Sequence, residues 1–96
     1  MSVVTDITKI PPKVRRAVLR RDSVDDWPCC IMCGRPGENY KGGGLHLHHV
    51  ELRSQLGKGE EDNLVTLCYE CHDKLHDGDE EIQHYAEDYL RRVKKR

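Results

Sequence analysis

The chain has 96 residues, 36% of them apolar, with no Phe and a single Trp. A chain this short buries only about two thirds of its unfolded surface, so a metal or disulfide staple is expected. No apolar run approaches a membrane span, and the start MSVVTDITKIPP has an acid and no apolar block, unlike a secretory leader; a cytoplasmic chain with reduced thiols is expected. The net charge of −1 conceals a segregation. Lys9, Lys13, Arg15, Arg16, Arg20 and Arg21 follow one another with no acid between them, and the chain ends Arg91-Arg92-Val93-Lys94-Lys95-Arg96. Acids gather at Glu60-Glu61-Asp62 and from Asp73 to Asp88. Such a pattern suits a polyanionic partner or solvated helix faces.

Residues 1–10 read as an irregular arm. Pro11 and Pro12 suit the first turn of a helix, where a missing N–H costs little. Val14, Ala17 and Val18 then recur at helical spacing, which predicts an amphipathic helix over 11–22 with arginines on its outer face. Asp22 to Pro28 reads as a polar loop, with Trp27 covering a small core. Cys30-Ile31-Met32-Cys33-Gly34 has the form of a zinc knuckle, because Gly lets the backbone turn until both thiolates face one ion. Cys29 is the odd thiol; a pairing of Cys29 with Cys33 fits less well. Residues 35–44 form a Gly-rich loop. It leads into a strand, Leu45–Val50, in which Leu45 and Leu47 alternate with His46 and His48. An ideal strand sends His48 and His49 to opposite faces. Both reach one site only if the strand kinks or ends there.

Glu51 to Asn63 is a long connection, and long connections in small domains are often functional. Leu64, Val65 and Leu67 then bring the chain to Cys68 and Cys71, with 34 residues between Cys33 and Cys68. Two CxxC pairs at this separation predict one four-cysteine zinc site of Cys30, Cys33, Cys68 and Cys71. A redox pair would not explain why there are two. If a helix begins near Cys68, Cys68, Cys71 and Leu75 share a face at about 100° per residue, and His72 and His76 share another roughly 60–100° further round. Asp77 and Glu80 have capping-box spacing for a last helix over 79–95. Its Ile82, Tyr85, Ala86, Tyr89, Leu90 and Val93 form an apolar stripe, with the tyrosines read as core rather than as a stacking platform for bases.

Five of the six histidines lie in Leu45–Val50 and Cys68–His76. Adjacent imidazoles on a strand, beside an i, i+4 pair on a helix, can hold a metal ion and set a base next to it. Those are the parts of a metal-dependent phosphodiesterase site. CxxCG, LHLHHV, Asn63-Leu64 and CxxCHxxxH, in that order, resemble the HNH endonucleases, small nucleases common in phages and bacteria. The resemblance covers about residues 10–76. It implies an α+β fold, a small ββα-metal, treble-clef-like domain stapled by zinc, with its core at 28–76 and helices flanking it. It also implies roles: His49 as general base, Asn63 as the residue that braces the connecting loop, His48 and His72 as ligands of a catalytic divalent ion, and His76 as a third ligand found in some members. Where many relatives have Pro after the histidine pair, this chain has Leu52. Arg53 resembles a basic residue that contacts phosphate. His46 and His84 are read as surface histidines, His46 close enough to the site to touch DNA.

The expectation is therefore a single domain over 1–96 that binds DNA, no membrane, and cuts phosphodiester bonds. Arg16 and Arg20 join Arg53 as expected phosphate contacts. The structural ion is Zn²⁺; for the catalytic ion Mg²⁺, Mn²⁺, Ni²⁺ and Zn²⁺ stay open, histidine ligands suiting Mg²⁺ least. Two alternatives stand beside this reading. One is a non-catalytic, zinc-stapled adaptor for DNA or protein; the other is a subunit of a larger phage or bacterial DNA-processing complex.

Overall fold

The computed structural model describes residues 10–50 and 60–94. The arm at 1–9 and the connection at 51–59, with Leu52 and Arg53, lie outside them. Helix α1 spans Pro12–Arg21, with Pro12 in its first turn and Pro11 as the extended cap residue. Its inner face buries Val18 and Leu19. A small hairpin follows, β1 (Ser23–Val24) against β2 (Trp27–Pro28). The loop expected over Asp22–Pro28 is thus paired. Asp25 and Asp26 turn it with φ of 50° and 64°, the left-handed pair a tight hairpin turn needs and Asp tolerates.

Strand β3 (Leu45–His49) pairs antiparallel with β4 (Leu64–Cys68), with His48 opposite Val65 and His49 opposite Leu64. A short 3-10 turn, Glu61–Asn63, feeds β4. Helix α2 (Tyr69–His76) starts directly from β4, with Cys68 at its cap position. Helix α3 (Glu80–Lys94) closes the chain. Its first turn is capped by Asp79, whose carboxylate accepts the N–H groups of Glu81 at 3.0 Å and Ile82 at 3.4 Å. The capping residue is therefore two positions later than the Asp77 expected, since Asp77 ends α2 and Gly78 turns away with φ of 96°. This βαβ-free order of two strands and a helix, with four clustered cysteines, is the ββα-metal arrangement of a zinc-stapled α+β fold.

The core joins Leu19, Leu45, Val65, Leu67, Ile82, Ala86 and Leu90 to the buried cysteines 30, 68 and 71. Trp27 stays 42% exposed, contrary to expectation. The two-residue β2 holds it opposite the exposed Val24, where its indole N–H donates to Gly37 O at 2.9 Å. Tyr85 is exposed as well, so only part of the tyrosine stripe is core. Tyr89 packs against the core and donates its hydroxyl to Asp22 at 2.6 Å.

Asp22 is the polar centre of the fold. Its side chain is fully buried. Arg21 donates to it through Nε at 2.8 Å and Nη2 at 3.0 Å, and the Thr66 N–H donates at 3.0 Å. Arg21 also reaches the carbonyls of Glu61 and Leu64 at 2.8 and 2.6 Å. One ion pair thus ties α1 to β4, the 3-10 turn and α3. Burial, with the bond to the Asp22 carboxylate, pushes the Tyr89 phenol up to about 12.

Removing one partner of a buried, hydrogen-bonded ion pair costs about 3–5 kcal/mol, a large share of the ~5–15 kcal/mol that holds a typical domain. Asp22→Ala, urea-unfolded with zinc bound, is expected to lose about 3 kcal/mol. A loss under about 1 kcal/mol would be the ordinary effect of a surface site and would contradict this role.

Candidate metal centre and histidine cleft

The knuckle is built by backbone bonds. Gly34 N–H donates to Cys30 O at 3.0 Å, Cys30 N–H to Arg35 O at 2.9 Å, and Ile31 N–H to Thr66 O at 3.0 Å. Gly34 turns with φ of 78°, which a side chain would oppose. The Ile31–Thr66 bond lays the knuckle on the free edge of β4, so its cysteines meet Cys68 and Cys71. The ligand atoms of Cys30, Cys33, Cys68 and Cys71 all lie within 4.8 Å of one another. Among the described residues this is the one His, Cys, Asp and Glu group of three or more that is so tight. All five thiols are free of disulfides. Cys29 stands apart and donates its thiol to Trp27 O at 3.2 Å.

The chemistry of the four donors fits zinc. Burial raises Cys33 and Cys71 above an ordinary thiol, and neighbouring thiols add to it. Burial acts the same way on Cys30, but backbone N–H groups of Cys33, Cys68 and Met32 outweigh it and bring that thiol down. Four sulfurs this close cannot all ionise without a cation between them. A Zn²⁺ ion held there supplies that charge, and in small domains such binding is worth on the order of 10 kcal/mol of folding energy.

The histidines form a second cleft on the adjoining side of α2. His46 and His48, two apart on β3, face the helix. The His46 ring lies 5.1 Å from His72 between centroids, and the His48 ring 5.5 Å from His72 and 6.4 Å from His76. His72 and His76, one turn apart, approach to 4.5 Å between centroids and 3.2 Å between Nε2 atoms. His48 is 5% exposed, and its Nε2 is buried with no hydrogen-bond partner among the described residues. A buried nitrogen left so costs about 1–3 kcal/mol, a cost that coordination to a cation would remove. Burial, followed by the charge of His72, holds the His48 imidazolium down to about 4, against a weaker upward pull from Gln83. Burial also lowers His72, with His76 and His46 adding to it. Neutral imidazoles are the form that binds a metal.

A family model described as HNH endonuclease matches residues 30–78, from the first knuckle cysteine to the glycine after α2. The chain belongs to the HNH endonuclease family. The comparison with curated proteins returned no match.

In this HNH chain the rings of His48, His72 and His76 lie together. His49 ends β3 at 9% exposure and pairs with Leu64. Because the ladder stays regular through it, His49 points away from the face that His46 and His48 share. The chain bends only at Val50, whose N–H donates to Asn63 O at 2.8 Å. The group that meets this bend is the main-chain carbonyl of Asn63, a bond that any residue there could accept. Arg16 and Arg20 lie on α1, in a groove whose described lining contains no histidine. Arg53 falls outside the described residues. His46, read as a surface histidine, is exposed but is also the fourth ring of the cleft; its period-2 spacing from His48 was the available signal.

Two outcomes follow from these groups. Zinc titrated into the metal-free chain should displace at least two protons, those of Cys33 and Cys71, and bind more weakly as pH falls. Calorimetry in buffers of different ionisation enthalpy would read this, and a proton-free titration would rule out thiolate ligation. In the cleft, the unfolded chain protonates His48 near its ordinary 6.5, before the folded chain does near 4. Stability should therefore drop as pH falls from 6.5 through 4, and the drop should be shallower in His48→Gln when urea midpoints are compared. Equal slopes would show that His48 is not held neutral.

Proposed function

We propose that this chain is a metal-dependent DNA endonuclease that hydrolyses phosphodiester bonds, nicking or cleaving duplex DNA. The observation that carries the reading is the converging Nε2 pair of His72 and His76 opposite the orphaned Nε2 of His48, in a chain of the HNH family. Two or three imidazoles would hold one divalent ion and leave coordination positions open. Bound there, the ion supplies charge to offset the negative phosphate oxygens and the departing 3′ oxygen.

The remaining work belongs to the protein's own groups. His49, next to His48 in the chain but on the opposite face of β3, would act from the end of that strand and take the proton of the attacking water onto a ring nitrogen. Asn63 holds the turn after His49 and so fixes the direction of that base. Arg53 would contact the phosphate, and Arg16 and Arg20 phosphates further along. Products would carry 5′-phosphate and 3′-hydroxyl ends. On this reading the chain works on DNA in the cytoplasm, alone or within a larger phage or bacterial DNA-processing complex.

Plasmid relaxation with Mg²⁺ or Mn²⁺, with and without EDTA, tests the reading. His49→Ala should slow cutting by about 10²–10⁴-fold, the range for losing a general base. Undiminished cutting by that variant would remove His49 from its role. Metal content is the second readout: His48→Ala should lose one ion and keep the zinc held by the cysteines. A chain that binds zinc alone and never cuts would be the adaptor instead.

A further inference from the structure

A second concave surface lies along α1, apart from the histidine cleft, and its lining includes the Arg16 and Arg20 to which the nuclease reading gives outlying phosphates. Its volume is ≈ 1220 Å³, above the roughly 300–1,000 Å³ of small-molecule clefts. Lys13, Arg15, Arg16 and Arg20 line one side, and Tyr40 with Lys41 the other. Asp26 and Glu61 are the acids in the lining. Arg21 also reaches it, but its charge is taken up by Asp22. Among the described residues, the remaining cations of the lining therefore outnumber its acids, and three of them are arginines, whose planar forks match phosphate oxygens better than a lysine does.

The Tyr40 side is held in place. Asn39 Oδ1 accepts the N–H groups of Lys41 at 2.9 Å and Gly43 at 3.2 Å, and Glu38 N–H donates to Gly43 O at 2.8 Å. Gly42 presses this turn onto α1: a Cβ there would come within 2.9 Å of Leu19 Cδ2. Tyr40 is 69% exposed at the tip, with the Lys41 ammonium 5.9 Å from its ring centroid. The ring is carried into solvent on a rigid turn, beside a row of cations.

We propose that this groove binds a single, unpaired DNA strand, its phosphates on the arginines of α1 and a base stacked on Tyr40. The choice of DNA as the polymer rests on the nuclease reading. Reading base edges in a duplex takes a convex element, a helix or a β-ribbon, that enters the roughly 12 Å major groove, and this surface presents none. A concave, cationic channel with an exposed ring is the form that takes one strand. An acidic protein segment would engage the cations but would leave Tyr40 unexplained.

The test uses the full chain with zinc bound, carrying His49→Ala and without added divalent ion, so that nothing is cut. Fluorescence anisotropy compares labelled oligothymidylate of about 12 nucleotides, within the usual span of single-strand sites, with a duplex of the same length. The strand should bind more tightly than the duplex. Tyr40→Ala should weaken strand binding about tenfold and leave duplex binding unchanged. Arg16→Ala and Arg20→Ala should each flatten the slope of log K against log salt by about 0.7. These residues are exposed, and unchanged zinc content and circular dichroism would show that the variants fold. Tighter binding of the duplex, or a Tyr40→Ala variant that holds the strand as well as its parent, would overturn the proposal. Plasmid cutting by the parent chain separates the two readings: cutting without strand binding sinks the groove alone, and strand binding without cutting sinks the nuclease alone.

Discussion

Leu64 to Cys68 is buried along its whole length, and a buried strand must hydrogen-bond along both edges, at a cost of about 1–3 kcal/mol for each group left unpaired. One edge is taken by β3. On the other, Thr66 N–H meets the Asp22 carboxylate, Leu64 O meets the Arg21 guanidinium, and Thr66 O meets the Ile31 N–H of the knuckle. No third strand is present on that side among the described residues; an ion pair and a metal loop stand in for one. This substitution is why α1, the knuckle and α3 all converge on five residues. It is also why β4 can end a two-stranded sheet without presenting an open, aggregation-prone edge of its own.

The metal chemistry follows from where β4 leads. It runs straight into α2, so Cys68 ends the strand and Cys71 opens the helix. Turning about 100° per residue, the helix then places His72 and His76 beside the sulfur cluster rather than on it. The sulfur cluster and the histidine cleft thus share one rigid element. Zinc held by the four cysteines would fix the rotation of α2, and that rotation sets how His72 and His76 face His48. In a core without Phe and with its single Trp at the surface, few other contacts could hold that angle. The basic groove depends on the same economy of parts, since Gly42 lets the turn that carries Tyr40 pack directly on Leu19.

Much of this was legible in the chain. Paired CxxC motifs state a ligand set because thiolate ligation needs a fixed short spacing. Helical periodicity placed the histidines of α2 on a face next to the cysteines; strand periodicity offered the same signal for His46 and His48, although His46 reads as a surface histidine. Errors came where a residue's role depends on a distant partner. Asp22 follows a basic run and looks like a helix-ending polar residue; nothing near it in sequence announces Thr66 or Tyr89. Trp27 looks like core, yet it stands on the outward face of its two-residue strand while Pro28 takes the inward one. Asp77 has the spacing of a cap, but Asp79 does the capping because Gly78 redirects the chain between two helices.

The sequence by itself determined the chemistry: which sulfurs can share one ion, which imidazoles lie one helical turn apart, and which family the order of motifs belongs to. These are properties of spacing, and local geometry converts spacing into direction. Only the tertiary structure decided what those groups lean on. Burying His48 until its Nε2 lacks a partner, covering the edge of β4 with the Arg21–Asp22 pair, and setting Tyr40 opposite the α1 arginines each require segments dozens of residues apart to meet. Such meetings are chosen by packing and by the cost of unpaired buried groups, summed over the whole chain.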